Sequence, residues 1–310
     1  MSISNKFGDF IKNNLPAPFT IAVILSFITF LLAYFIAEEQ SNSFFKILTF
    51  WEKGLWDNQL MVFAMQMMLM LVLGHCLALS NPVEKIINRV TSICNNTSTA
   101  AALVTLSTLI VSLFNWGLGL IFGAIFARKV GEHASKNNIK LNYPLIGAAG
   151  YSGLMVWHGG ISGSAPIKIA EKGHFLESKM GVISQSQTVF SSMNLTISIF
   201  LIIILPSLMY FLGKKTESKK ISLSSEKKVS PENIIGAEKL DHSKTLARIF
   251  GSIILIYCFY KALILPDKIS LNFINPNFIN LFLLGLCIFL HNNFFSFINS
   301  VNNAIKGASG

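Results

Sequence analysis

The sequence predicts an all-α membrane protein that crosses the bilayer several times. Of its 310 residues, 52% are hydrophobic and only 13% are charged, and the mean hydropathy is +0.56. Roughly a quarter of the residues in a soluble domain are charged, so this composition excludes that class. Long windows with few or no charges predict about six spans, together with a re-entrant hairpin and a broken helix. The clearest windows are 17–37, 60–79, 189–212, 246–265 and 277–291.

The basic charge of the chain is explained by its expected membrane topology. The formal net charge is +10, from 25 Lys and Arg against 15 Asp and Glu. The lysines concentrate in the connections between spans, where they orient the chain and meet anionic headgroups. We therefore expect the lipid bilayer, and no nucleic acid, as a partner. Four cysteines lack the spacing of a metal site and predict buried free thiols: Cys76, Cys94, Cys258 and Cys287.

Three segments outside the spans predict amphipathic helices at the membrane surface. Residues 44–56 carry apolar side chains at helical spacing, with two tryptophans that favour the interface. Residues 81–93 begin with Asn-Pro, a typical helix start, and separate an apolar stripe from charged positions. Residues 295–305 repeat the helical spacing after the last span. The order span, span, interfacial helix therefore occurs twice.

Residues 101–127 predict a re-entrant hairpin. Two apolar arms of roughly 10–14 residues are each too short to cross a core about 30 Å thick. They are joined by a polar, glycine-containing turn, N-W-G-L-G at 115–119. The alternative is one continuous span kinked at glycine. A re-entrant hairpin with the N-terminus inside places more Lys and Arg on the inner side than a crossing does, which favours the hairpin.

Residues 143–166 predict a broken helix at membrane depth. Residues 151–166 read Y-S-G-L-M-V-W-H-G-G-I-S-G-S-A-P, in which Gly159-Gly160 permit non-helical backbone and Pro166 removes a donor. In hydrocarbon, each freed N–H or C=O costs several kcal/mol unless protein, water or ligand satisfies it. Broken backbone at this depth therefore indicates a cavity and a binding site.

The domain organisation follows from these elements. Residues 1–212 form a first membrane unit that contains the hairpin and the broken helix. Residues 213–245 are Lys- and Ser-rich without hydrophobic periodicity, which predicts a mostly disordered cytoplasmic linker. Residues 246–310 begin a second membrane unit that we expect to be incomplete.

Several motifs in the chain resemble the short-chain fatty acid transporter family of the ion-transporter superfamily. They are F-A-M-Q-M at 63–67, G-H-C-L-A at 74–78, N-W-G-L-G-L at 115–120, the block at 151–166 and G-H-F-L at 173–176. The resemblance implies re-entrant hairpins paired with broken helices in a multi-pass protein of the plasma (inner) membrane. Members are longer and carry a second glycine-rich broken segment. We therefore expect a C-terminally truncated chain, one that does not transport alone and that is prone to form a homo-oligomer.

The leading functional hypothesis is a secondary carrier of short-chain carboxylates such as butyrate or acetoacetate, coupled to H+ or Na+ and without a cofactor. Backbone N–H groups at broken helix ends and two serine hydroxyls can bind a carboxylate without a buried lysine. Trp116 and Trp157 could enclose the aliphatic end, and Asn115 could bind substrate or a coupling cation. The candidate substrate-binding residues are Asn115, Trp116, Gly117, Gly119, Trp157, His158, Gly159, Gly160, Ser162, Gly163 and Ser164.

Each of these assignments has a plainer alternative. Histidine ordinarily titrates near pH ~6.5, so His158 could exchange a proton, or it could be a neutral imidazole that holds the broken backbone together. Trp157 could serve ordinary helix packing. An intramembrane enzyme with a serine and His158 as nucleophile and base is a competing class, but no acidic residue in the core spans could orient the histidine. A non-transporting fragment or subunit is the third reading.

Overall fold

The structure, a computed structural model, describes residues 16–36, 44–223, 236–265, 271 and 273–308. These residues are mostly helical, and the strands among them amount to one two-stranded ladder, which confirms the predicted all-α class. Five of their helices are long and apolar enough to cross a membrane. They are Pro18–Ile36, Asn58–Ala78, Thr97–Phe114, Ser192–Lys215 and Lys244–Leu263.

The chain divides into two units, with the boundary between Val62 and Phe63. The first unit contains α1 (Pro18–Ile36) and α2 (Phe44–Leu55). No side chain of α1 is buried, as expected of a helix that lipid surrounds. The ring of Phe30 lies edge-on to that of Phe44, 5.2 Å between centroids, and joins the two helices. The helix predicted within 44–56 is confirmed.

The second unit takes in most of α3 (Asn58–Ala78), followed by α4 (Asn81–Thr91). Pro82 lies in the first turn of α4, where its missing N–H is not needed. The buried positions of α4, Ile87 and Thr91, are one turn apart and face the protein. The amphipathic helix predicted within 81–93 is therefore present.

The predicted hairpin consists of α5 (Thr97–Phe114) and α6 (Trp116–Lys136). These helices have 18 and 21 residues, so the expected arm length of 10–14 residues is wrong. The apolar run alone underestimated both arms. At one end, the Asn96 side chain accepts the Thr99 N–H at 2.9 Å and starts α5 before its apolar residues. At the other, α6 continues through polar residues. By length and composition α5 could cross a membrane, so re-entry of the hairpin stays a prediction.

A stripe of small residues at four-residue spacing lets α6 approach its neighbours closely. The stripe consists of Gly119, Gly123, Ala127 and Gly131. A Cβ atom at Gly119 would overlap Ser112 of α5, and one at Gly123 would overlap the carbonyl of Gly150. Gly150 belongs to α7 (Tyr143–Tyr151), so the stripe holds α6 between α5 and α7.

The start of the predicted linker is ordered. The helix that precedes it, α10 (Ser192–Lys215), continues beyond the expected end at 212. Beyond it, β1 (Lys140–Leu141) pairs antiparallel with β2 (Lys219–Lys220). The hydroxyls of Thr97 and Ser218 are 2.7 Å apart beside this ladder. The expectation of disorder is therefore wrong for 213–223 and for 236–245, which contains a short helix, whereas 224–235 lie outside the described residues.

Three helices, two short and one long, lead from the broken segment to this ladder. They are α8 (Ser164–Ile169), α9 (Glu177–Met180) and α10 (Ser192–Lys215). The helices that follow are α11 (Glu238–Asp241), which lies within the predicted linker, α12 (Lys244–Leu263), α13 (Pro276–His291) and α14 (Phe294–Ala308). A Cβ atom at Gly251 of α12 would meet Phe289 of α13, so these helices also pack closely. A helix long enough to cross a membrane is present at the span expected at 246–265, and the helix expected at 295–305 is present. At 277–291 the structure has an apolar helix of 16 residues, shorter than the five that could cross, so a span there stays a prediction.

Candidate functional site

The joint between α5 and α6 is a single residue, Asn115. Its backbone is extended, with φ −148° and ψ 123°, and its N–H donates to the Val111 carbonyl at 2.9 Å to end α5. Its side-chain oxygen accepts the Leu118 N–H at 2.7 Å and so begins α6. The residue is fully buried, and its amide nitrogen Nδ2 has no partner among the described residues. One donor of Asn115 is therefore left over at the hairpin tip.

The predicted break in 143–166 is confirmed. After α7 the chain makes two short 3-10 turns, Ser152–Met155 and Trp157–Gly159, and becomes extended at Gly160 before α8 begins. Pro166 lies in the first turn of α8, a position that tolerates the missing N–H. Gly160 has extended backbone, with φ −86° and ψ 171°, so the predicted non-helical backbone is present, although any residue could adopt these angles.

The two breaks lie against each other. The Ile161 N–H donates to the Leu113 carbonyl at 2.8 Å, and the Trp116 N–H donates to the Ser162 hydroxyl oxygen at 2.9 Å. A Cβ atom at Gly160 would overlap the backbone of Leu113, so close approach is the reason for glycine here. The structure thus brings the hairpin tip and the glycine–serine segment together as one site.

The glycines on either side of this contact also serve close packing. A Cβ atom at Gly163 would overlap the carbonyl of His158, and one at Gly117 would press on the backbone of α3. At Gly159 the neighbour is Asn194 of α10, whose side-chain N–H2 donates to the Gly159 carbonyl at 2.9 Å. Sequence reasoning missed Asn194. The available signal was an amide on an otherwise apolar span, which often bridges segments.

The aromatic residues of the site form a chain of edge contacts. The rings of Trp116 and Trp157 are 5.4 Å apart at 84°, and those of Trp157 and His158 are 5.2 Å apart. His158 is exposed, and its ring makes no hydrogen bond within the described part of the chain. The readings of His158 as a backbone support or as the base for a serine therefore gain no support. Ser164 begins α8, and its hydroxyl likewise has no bond among these residues.

An apolar cavity of about 330 Å³ adjoins the hairpin tip. The buried Asn115 is one of its lining residues, and Phe114 and Ile161 line it from the two breaks. The remaining lining comes from the last third of the chain: Cys258, Phe259, Ala262, Leu263, Phe273, Ile274, Phe278, Ile279 and Phe282. Trp116 and Trp157, expected to enclose an aliphatic group, are not among the lining residues. Phe278 and Phe282 of α13, and Phe273 just before that helix, line the cavity instead.

A buried cation lies near the break, although it is not among the residues that line the cavity. Lys168 of α8 is only 7% exposed. Its Nζ atom is 2.8 Å from an oxygen of Glu171 and 5.8 Å from the ring centroid of Phe63. The carboxylate and the aromatic face satisfy the ammonium group. In the sequence, only the four-residue spacing between Ser164 and Lys168 indicates that the two side chains lie on the same face of α8.

All four cysteines are buried, as predicted, and none is paired. Cys94 lies between α4 and α5, and burial raises the pKa of its thiol to about 11. The described residues contain no group of three His, Cys, Asp or Glu side chains that could hold a metal ion.

Comparison with known proteins identifies the family. The family model for short chain fatty acid transporters matches residues 1–310. Two relatives carry the name "Putative short-chain fatty acid transporter". The one from Escherichia coli (strain K12) is 29% identical over 99% of this chain and 68% of its own length. The one from Haemophilus influenzae is 30% identical over 99% of this chain and 69% of its own length. No solved structure matches significantly. With its spans, the chain is therefore a multi-pass membrane protein that belongs to the short-chain fatty acid transporter family.

Proposed function

We propose that this chain binds a short-chain monocarboxylate, of the butyrate or acetoacetate type, at the hairpin tip as the binding step of secondary transport across the plasma (inner) membrane. The carboxylate accepts from Asn115, and the aliphatic tail occupies the apolar cavity. The observation that carries the proposal is the unpartnered Nδ2 of Asn115 beside a cavity lined almost wholly by carbon.

Asn115 and the apolar lining fit the two ends of such a ligand. A buried donor without a partner costs about 1–3 kcal/mol, and a carboxylate oxygen would remove that cost. Phe114, Phe278 and Phe282 offer an apolar surface to the tail. Each methylene that leaves water for such a surface gains about 0.8 kcal/mol. A volume of about 330 Å³ accommodates a short acyl chain.

We further infer that a cation or a proton accompanies the anion. None of the described residues that line the cavity is charged, so a carboxylate there would be buried without a counter-charge from them. Na+ or H+ bound with it would neutralise this charge. Affinity for butyrate should then rise with Na+ concentration or with falling pH. Equal affinity under all these conditions would leave carboxylate binding in place and remove the coupling.

Tryptophan fluorescence of the chain in lipid nanodiscs tests the binding proposal. Trp51→Phe and Trp56→Phe leave Trp116 and Trp157, which lie next to the site, as the emitters. Butyrate should change their emission saturably, and butylamine, with the same tail and the opposite charge, should not. Recovery of unaltered butyrate would also separate binding from catalysis.

A matched pair of variants locates the site. Asn115→Asp keeps the oxygen that accepts from Leu118 and replaces the N–H2 donor by a second acceptor, so butyrate binding should be lost while α6 still begins correctly. Asn96→Asp makes the same change at the exposed start of α5, where the side chain also accepts a backbone N–H, and binding should be unchanged. Butyrate binding by Asn115→Asp at the affinity of the unsubstituted chain would remove the carboxylate from the hairpin tip.

A further inference from the structure

Two buried amide side chains join α3 to α13 away from the hairpin tip. Gln66 of α3 is 5% exposed and Asn280 of α13 is 7% exposed. The Gln66 side-chain N–H2 donates to Asn277 Oδ1 at 2.9 Å, and the Asn280 side-chain N–H2 donates to the Gln66 backbone carbonyl at 2.9 Å. Both amides therefore use their nitrogen in contacts between the helices.

The oxygens of the same two amides have no partner. Gln66 Oε1 and Asn280 Oδ1 are both buried, and neither receives a hydrogen bond from the described residues. Gln185 repeats the pattern near the start of α13, since its N–H2 donates to the Ile274 carbonyl and its oxygen is also buried and unpartnered. The region between these segments thus presents buried acceptors in excess of donors.

Rotation of the amides does not relieve this excess. A flip that exchanges oxygen and nitrogen in Asn280 would place its oxygen against the Gln66 carbonyl oxygen. A flip of Gln66 would likewise oppose two side-chain oxygens unless Asn277 turned as well. The hydrogen bond to the Gln66 backbone carbonyl therefore fixes the Asn280 oxygen as an atom without a partner, and in the orientation that Gln66 and Asn277 adopt in the structure the Gln66 oxygen has none either.

We propose that Gln66 Oε1 and Asn280 Oδ1 bind a monovalent alkali cation. Hard cations prefer oxygen ligands, and carbonyl-type oxygens are suitable ones. Neither α3 (Asn58–Ala78) nor α13 (Pro276–His291) contains an acidic residue, so nothing on these helices would balance the second charge of Mg²⁺ or Ca²⁺. The remaining ligands would be backbone carbonyls or water. This inference is independent of carboxylate binding at Asn115.

Thermal unfolding of the chain in nanodiscs tests the site, because a ligand that binds only the native state raises Tm. Chloride salts of Na+, K+ and Li+ are compared with N-methylglucamine chloride at equal ionic strength. We expect one or more of the alkali cations to raise Tm by several degrees, with a saturable dependence on concentration. An equal Tm in all four salts would overturn the proposal and indicate a bound water only.

Variants assign the effect to the two oxygens. Gln66→Met and Asn280→Leu keep the approximate size of each side chain and remove its oxygen, and each should abolish the cation-dependent shift. Gln59→Met changes an exposed glutamine of the same helix and should preserve it. A shift that persists in Gln66→Met would refute the assignment. If both site variants fail to fold, binding of radioactive sodium or of Tl+ to the unsubstituted chain decides, and no saturable binding of either ion would overturn the proposal.

Discussion

The backbone N–H of Trp116 donates a hydrogen bond of 2.9 Å to the hydroxyl oxygen of Ser162, so a side chain of the broken helix satisfies the first residue of α6. That N–H belongs to the first turn of a helix and has no partner within it. The neighbouring hydrogen bond, donated by the Ile161 N–H, satisfies the Leu113 carbonyl in the last turn of α5. Each break in the backbone is therefore stabilised by the other, and separation of the two would expose unsatisfied groups on both.

Ser162→Ala should destabilise the chain by about 1–3 kcal/mol, because the Trp116 N–H then loses its acceptor in a buried place. Ser164→Ala is the matched control, since the described residues include no hydrogen bond to its hydroxyl. Unfolding by denaturant in detergent micelles measures the difference. Equal midpoints for the two variants would show that the Ser162 contact contributes little to stability.

Gly160→Ala should lower stability by about 1–3 kcal/mol, since the added methyl group would overlap the Leu113 backbone and push the breaks apart. Gly147→Ala provides the comparison. Gly147 lies in α7, where an added Cβ meets no atom within 4 Å, so alanine should raise stability by about 0.5–1 kcal/mol. Opposite signs in the same unfolding assay are the expected result, and a stable Gly160→Ala would contradict the close contact.

The sequence predicted the parts of this fold that have a local cause. Uncharged runs located the spans, and the composition of 115–119 and 159–166 located both breaks. Contacts between distant segments had no such signal. Phe282 reaches the cavity beside Phe114, and Asn280 reaches Gln66, across more than half of the chain. The predicted helix ends were too early for a related reason. Polar residues that continue a helix resemble a loop in the sequence, because the contacts that hold them in the helix come from distant segments.

The depth of the hairpin tip can be measured with the chain's own tryptophans. With Trp51 and Trp56 replaced by Phe, emission comes from Trp116 and Trp157 at the tip. If the hairpin re-enters, lipids brominated near the end of the acyl chain should quench this emission more than lipids brominated near the headgroup. The reverse order would place the tip at the far surface and make α5 and α6 two full crossings.

Cys94 should resist alkylation up to strongly alkaline pH. Burial raises its pKa from an ordinary 9.0 to about 11, so between pH 8 and 9 its thiolate is roughly fifty- to ninetyfold scarcer than that of an exposed cysteine. Maleimide labelling is compared between two single-cysteine chains. One keeps only Cys94, and the other carries only the cysteine of Asn95→Cys. Comparable labelling rates would contradict the burial of Cys94.

The same shift predicts a pH effect on stability. The unfolded thiol ionises near pH 9, whereas the native thiol stays protonated until about pH 11, so the native state binds more protons between these values. Its stability should therefore fall as pH rises through this window and be unaffected below it. Cys94→Ala should lose less stability than the unsubstituted chain over that range in denaturant titrations. Parallel curves for the two chains would show that Cys94 does not ionise on unfolding.

Phe282→Ala should shift the preferred ligand toward longer acids. The ring of Phe282 lies 6.5 Å from that of Phe114, both line the apolar cavity, and its removal extends the space for an acyl tail. In the unsubstituted chain, affinity should rise about fourfold per methylene, from ~0.8 kcal/mol each, and then fall once the tail exceeds the cavity. The variant should reach its maximum at a longer acid.

Phe289→Ala is the control for this change, because Phe289 lies on the same helix and is absent from the cavity lining. Its chain-length profile should match that of the unsubstituted chain. A series of straight-chain acids, measured by the fluorescence of Trp116 and Trp157, gives the profile for all three proteins. If Phe282→Ala and Phe289→Ala leave the optimum at the same acid, the tail does not enter this cavity, whatever the role of Asn115.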